Sequence, residues 1–447
     1  MAELGNLIKR LEKHVAKQSS YIKSIRNPAM LIRSLIDLKN IIGNEKVKNN
    51  IAEQVNYLIH SKYRKRLHPE IKEDDSMLNT ALYGPPGVGK TLIGSKIAKI
   101  YYSLGYIDGS KKSSPSTVSK LFNKEQTSNP ANESQMLNFL IFFMFVMLIL
   151  ISLSSLIWKN LGGVYVAVLL GIVFFIFVVF IIYYNSNSVN NNTNVSKNNI
   201  DNNVQIQPKT KIAEPSDDKL FKIVSRPDFI GQYVGWTAAK TNALLEDNLG
   251  KVLFVDEAYS LVNGPRDDFG IEALTALNLF LSQRKGEIIV IFAGYEELME
   301  SQIYSYQKGL KRRFMWHFTC EGYSPSELFE IFKLKLTVEG MKVRNEEEVV
   351  DLFVKNKTAF ANYGGDCERL LNYSKLKHAT YCMSKSVAKG ENKDFYNTLE
   401  TEHIKQGVDV LIENSVKDSV SSKDDMMNLL RNGGNSNMRD TLGRMFN

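Results

Sequence analysis

The apolar positions of the chain change their period from segment to segment, and each period predicts a different element. Leu4, Leu7, Ile8, Leu11 and Val15 recur at helical spacing among Lys9, Arg10, Lys13 and Lys17, which predicts an amphipathic basic helix within residues 1–34. Such a helix can dock a partner, lie on an anionic membrane surface or pack on its own domain. From Leu35 a short apolar stretch and Gly43 lead into a second helical pattern, with Val47, Ile51, Val55 and Leu58 on one face. Apolar runs then predict buried strands: MLNTALY ahead of a glycine-rich loop, VLFV at 252–255 and IIVIF at 288–292. Residues 324–415 return to helical periodicity, opening on Ser324-Pro325-Ser326-Glu327 as a capped helix start.

Two runs fit neither pattern. Residues 137–157 and 164–184 carry no charged side chain, and about 20 apolar residues make about 30 Å of helix, enough to cross a bilayer. With the tight turn Trp158 to Gly163 between them they predict a transmembrane hairpin, a pair of buried core helices being the alternative. Polar linkers flank it: residues 108–136 are rich in Ser, Lys and Asn, and residues 185–203 contain ten Asn. Lys111, Lys112, Lys120 and Lys124 before the hairpin and Lys197, Lys209 and Lys211 after it, against Lys159 in the turn, place both flanks on the cytoplasmic side.

Composition adds little. The 447 residues carry a formal charge of +8 and a pI near 9.0, with no long basic block, so nucleic acid is not an expected partner. Three cysteines are too few and too scattered for a disulfide framework, which favours a reducing compartment. The six histidines show no ligand spacing, and the N-terminus, charged from residue 3, lacks the apolar h-region of a secretory signal.

The chemistry is concentrated in two motifs. Gly84-Pro85-Pro86-Gly87-Val88-Gly89-Lys90-Thr91 fits GxxxxGK[ST] between a strand and a helix. Its glycines let successive backbone N–H groups close round a phosphate at a helix N-terminus. Lys90 would reach the β- and γ-phosphates, and the Thr91 hydroxyl would sit on Mg²⁺. Val252-Leu253-Phe254-Val255-Asp256-Glu257 is a buried strand ending in two carboxylates. There Asp256 would hold Mg²⁺ through water and Glu257 would polarise the attacking water. Because Lys90 precedes the hairpin and Asp256 follows it, two crossings would return both to one compartment.

On these motifs, and on SRPDFIGQYVGWTAAKT, FGIEALTAL, IIVIFAGYEELM and GLKRRF in that order, the chain resembles the AAA+ ATPases, more narrowly their CbbX-like and SpoVK-like branch. The resemblance covers about residues 35–100 and 218–380. It implies an α/β fold, a P-loop module with a parallel five-stranded sheet sandwiched by helices, plus a small C-terminal helical lid and here an inserted two-helix hairpin. The expected domains are 1–34, an N-terminal helical segment; 35–107 and 218–323, the two parts of the large subdomain; 108–217, the insertion; 324–415, the lid; and 416–447, a flexible tail.

Carried over by residue, the resemblance places Leu92, Ile42, Gly43 and Tyr295 with the P-loop at the nucleotide, Tyr295 as the sensor at the end of its strand. It makes Tyr233 and Val234, before Gly235, a pore loop gripping an extended polypeptide, local packing of Tyr233 being the alternative. It makes Arg313 the arginine finger of a neighbouring subunit, with Arg312 as understudy. Glu368 falls where a sensor-2 arginine is expected and Arg369 follows one position later, so that role stays open. Together these imply a membrane-anchored ATP hydrolase requiring ATP and Mg²⁺, assembled as a homo-oligomeric ring, a hexamer by resemblance, that pulls or remodels a protein substrate. The alternative is an ATP-gated membrane scaffold or switch with little hydrolysis. The expected location is integral to a membrane through residues 137–184, with the ATPase domain on the cytoplasmic side.

Overall fold

The computed structural model describes residues 2–70, 78–109, 216–389 and 393–415. All of these fall in one compact unit, residues 1–119 and 215–447. Five parallel strands form its sheet: β1 (Thr80–Tyr83), β2 (Phe221–Val224), β3 (Val252–Val255), β4 (Ile289–Gly294) and β5 (Trp316–Thr319). Their order across the sheet is β2-β3-β4-β1-β5, with Val252 opposite Ile289 and Thr80 opposite both Ile291 and Trp316.

The strand runs are apolar throughout because both faces of the sheet are covered. Alternate side chains separate into two cores, as the twofold strand period requires. Ile289, Ile291 and Ala293 of β4 join Val252, Phe254 and Leu82 in one core. Val290 and Phe292 join Leu253, Val255 and Tyr83 in the other. On the first face lie α1 (Ala2–Ala16), α2 (Pro28–Lys39), α3 (Glu45–Leu67) and α4 (Lys90–Leu104). On the second lie α5 (Thr237–Asp247) and α6 (Asp268–Gln283).

Of the three fates open to the N-terminal helix, the fold takes the internal one. Leu4, Leu7, Ile8 and Leu11 are buried in the core shared with α2 and α3. The Asn27 side chain caps α2 by accepting from Met30 N at 3.0 Å, with Pro28 in the first turn.

The C-terminal part is helical: α7 (Pro325–Val338), α8 (Glu346–Lys355), α9 (Gly364–Lys389) and α10, residues 401–415. Ser324 and Glu327 form the capping box that the sequence indicates. Phe353 stacks on Phe360 at 4.6 Å and meets Phe329 and Phe332. His378 and His403 are buried against each other at 3.3 Å.

The membrane expectations are corrected. Among the described residues no helix is long and apolar enough to cross a membrane. Residues 137–157 and 164–184 lie outside the described residues, as do the linkers and residues 416–447. The expected integral membrane location, with the membrane as a partner through residues 137–184 and the ATPase domain on its cytoplasmic side, thus has no spanning helix behind it among the described residues.

Candidate nucleotide site

β1 ends at Tyr83, and the loop that follows turns on glycines. Gly84, Gly87 and Gly89 have φ of 144°, 76° and 85°, conformations that L side chains rarely adopt. Space is equally restrictive: a Cβ on Gly84 would lie 2.6 Å from Cys320 O, and one on Gly87 would lie 1.9 Å from Asn362 O. Gly89 caps α4, which sets the loop at the N-terminus of a 15-residue helix, where the first backbone N–H groups have no intrahelical partner. That arrangement fits a phosphate. The loop is fastened from beneath by Val88, fully buried, whose carbonyl accepts from Asn44 Nδ2 at 3.1 Å and from Tyr323 Oη at 2.9 Å.

Across the sheet, β3 delivers Asp256 and Glu257 to the same end. Asp256 N donates to Val224 O at 3.0 Å, extending the ladder to the carboxylate. Glu257 sits at φ 46°, ψ 47°, a left-handed conformation for a side chain other than glycine. Such strain costs roughly 1–3 kcal/mol, persists only where the surrounding structure enforces it, and clusters at functional sites.

A cavity of about 770 Å³ collects these groups, a volume suited to a nucleotide-sized ligand. Pro86, Gly87, Gly89, Lys90, Thr91 and Leu92 line it from the loop and α4, and Ile42, Asp256, Glu257 and Tyr295 from elsewhere. Lys90 Nζ donates to the Gly84 and Pro85 carbonyls, each at 2.7 Å, and lies 5.9 Å from the Tyr295 ring centre. Burial lowers the Lys90 pKa, against the opposing pull of Asp256 and Glu257. Burial and the neighbouring Glu257 push Tyr259 up to about 12, leaving a neutral phenol beside the carboxylates.

Four residues placed at the nucleotide by sequence stand back from this cavity. Gly84 and Pro85 border an adjoining one with Tyr295 and Cys320. Val88 is packed below the loop, and Gly43, at φ 65°, makes room for the Tyr323 ring. Sequence reasoning missed Asn44, Tyr323, Tyr259 and the Asp37–Lys96 ion pair at 3.1 Å. Asn44 adjoins Gly43 and Tyr323 adjoins the Ser324 cap, so their positions could have raised the question.

Arg312 is exposed, and Arg313 is held by Gly309 O at 2.6 Å and by Ser282 Oγ. Neither lines the cavity of its own chain. Tyr233 and Val234 also lie apart from it, at a loop tip where they are 58% and 88% exposed. The base of that loop is closed by Gly231 N donating to Thr237 Oγ1 at 3.1 Å, and Tyr233 meets Trp236 edge-on at 5.1 Å.

No family model matches the chain, but curated relatives do. A putative cfxQ-like protein of Acanthamoeba polyphaga mimivirus is 24% identical over 90% of this chain and 71% of its own length. A CfxQ homolog of Guillardia theta is 35% identical over 32% of this chain and 52% of its own. Stage V sporulation protein K of Bacillus subtilis is 38% identical over 28% of this chain and 38% of its own. The chain thus spans about half or less of the latter two. Among solved structures, the FIGL-1 AAA domain in complex with ADP is 17% identical, with TM-score 0.34 over 47% of this chain and 70% of that one. A mutant of Thermotoga maritima RuvB is 13% identical, with TM-score 0.37 over 83% and 72%. The chain is thus similar to cfxQ-like proteins and to stage V sporulation protein K, and its glycine-rich loop follows the β1 strand of a five-stranded parallel sheet.

Proposed function

We propose that the chain is a Mg²⁺-dependent ATP hydrolase that assembles as a ring and uses turnover to remodel a protein substrate. One observation carries the reading. Lys90 and Thr91, at the start of α4, and Asp256 and Glu257, after β3, line a single cavity although β4 separates β1 from β3.

Loop N–H groups and Lys90 would bind the phosphates, and the oxygens of Thr91 and Asp256 would hold Mg²⁺, which supplies positive charge at the polyphosphate. Glu257 would orient a water and take its proton as the water oxygen bonds to the γ-phosphorus. The bond from that phosphorus to the β,γ-bridging oxygen breaks, giving ADP and phosphate. Tyr295, which follows the intervening strand β4 and lines the cavity, would report the nucleotide's state. Arg313, away from its own cavity, is offered to a neighbouring copy, and the exposed Tyr233-Val234 tip to an extended polypeptide. The helices of residues 324–415 act as the lid.

Glu257→Gln should retain nucleotide binding and lose turnover, measured as phosphate release. A wild-type rate no faster than that of the variant, in a verified oligomer, would refute the enzyme. The rival, an ATP-gated switch with little hydrolysis, draws on Arg369, which pairs with Asp366 at 3.5 Å instead of lining the cavity. The same comparison of rates decides between them.

A further inference from the structure

One ion pair in the cavity has no role in the chemistry above. Lys335 on α7 and Glu368 on α9 meet at 2.8 Å, and both line the cavity that holds Lys90, Thr91, Asp256 and Glu257. Their place relative to the phosphate loop follows from α9. Gly364 N, at the helix start, donates to Gly87 O at 3.1 Å. Glu368 comes four residues later, about 6 Å along the axis and on the same helix face. On α7, Ile331, Leu334 and Lys335 share the face that looks into the cavity, at the i, i+3, i+4 spacing of one helix side.

A carboxylate in this position opposes a polyphosphate unless something neutralises it. Lys335 does so, and its ammonium holds the Glu368 carboxyl below the usual range. The pair is nevertheless weakly held. Its side chains are 31% and 65% accessible, and exposed ion pairs contribute little to stability because water screens them. A nucleotide polyphosphate carries several negative charges against the one of Glu368. At comparable separation it is the stronger attractor, more so in a cavity partly screened from water. Exchange of the carboxylate for a phosphate oxygen therefore costs little and gains more.

Arg369 is engaged elsewhere. It pairs with Asp366, whose carboxylate also accepts from Asn362 N at 2.7 Å. It thus braces the turn that rests on Gly87.

We propose that Lys335 is the lid's phosphate-contacting cation, parked on Glu368 and transferred to the nucleotide when it binds. This rests on the nucleotide-site reading and deepens it. The packing of α7 on α9, including Cys367 Sγ against Leu328 O at 3.4 Å, stays intact during the transfer. What changes is the charge of Glu368 within the lid, uncompensated once nucleotide has taken Lys335.

The test is titration calorimetry of Mg-ATP on the full chain, in a Glu257→Gln background so that the nucleotide is not consumed. Lys335→Met should weaken binding by about tenfold, the loss of one charge-assisted contact, and Lys335→Arg should restore most of it. Glu368→Gln should tighten binding, because it removes the competitor. Opposite signs from the two halves of one ion pair are what a structural brace would not give. Lys335→Met binding as tightly as the parent, or Glu368→Gln weakening binding as Lys335→Met does, overturns the proposal. A loss with Arg369→Met and none with Lys335→Met overturns it as well, returning the role to Arg369. A parent that binds no nucleotide at all refutes the nucleotide site itself.

Discussion

At the residue scale the phosphate loop is decided by what cannot be there. Gly87 combines φ 76° with a Cβ position 1.9 Å from Asn362 O, so Gly87→Ala forces either the loop or the docked turn of α9 to move. The expected outcome is loss of nucleotide affinity with a fall in stability of more than about 1 kcal/mol, read by calorimetry and thermal melting. The glycine-rich motif was legible in sequence because the pattern is local. The steric partner of Gly87 was not, since Asn362 lies far along the chain and reaches the loop only through the folded C-terminal helices. Lys335 was hidden for the same reason. Nothing in the stretch LFEIFKLKLTV separates it from Lys333, which turns to Glu346 at 2.7 Å on the solvent side.

Among elements, α6 shows how a charge fixes a segment. Asp267 caps it, accepting from Gly270 N at 3.0 Å, and pairs with Arg226 through both carboxylate oxygens at 2.6 and 3.0 Å. Burial would raise its pKa, but Arg226 and the amides of Asn263 and Gly270 outweigh that and hold it at about 2. A depressed carboxylate stabilises the fold above its unfolded value, near 3.8, and that contribution is lost as the pH falls towards about 2. Asp267→Asn should therefore destabilise at neutral pH and flatten the acid limb of a pH–stability curve measured by denaturant melts. In the C-terminal helices, Phe353→Ala removes a ring fully buried among Phe329, Phe332 and Phe360. It should cost about 3–5 kcal/mol in the same assay. The helix start at Ser324 could be placed from sequence because a cap acts within one turn, whereas the Asp267–Arg226 pair is brought together only by folding.

For the whole molecule, the open question is how the arginine is shared. If Arg313 serves a neighbouring copy, Arg313→Ala rings bind ATP but hydrolyse it at least about 10³-fold more slowly. Mixing them with Glu257→Gln rings should then recover activity, because a Glu257→Gln subunit lends its Arg313 to a site whose Glu257 is intact. Recovery absent from verified mixed rings would place the arginine in its own site. Tyr233→Ala should lower substrate processed per ATP consumed, scored by following both in one reaction.

Local spacing alone determined the P-loop, the paired carboxylates after β3, the continuous apolar strands and the capped helix start at Ser324, since each depends on neighbours a few residues apart. It could not determine that α1 is buried on α2 and α3, since an amphipathic face does not specify what covers it. Hydropathy likewise gives only the length and polarity of a run: residues 137–157 and 164–184 lie outside the described residues, among which no helix is long and apolar enough to cross a membrane. Only the tertiary structure decided which cations face the nucleotide cavity, because Lys335, Glu368 and Arg369 are assigned by the packing of α7 on α9 and of α9 on the phosphate loop.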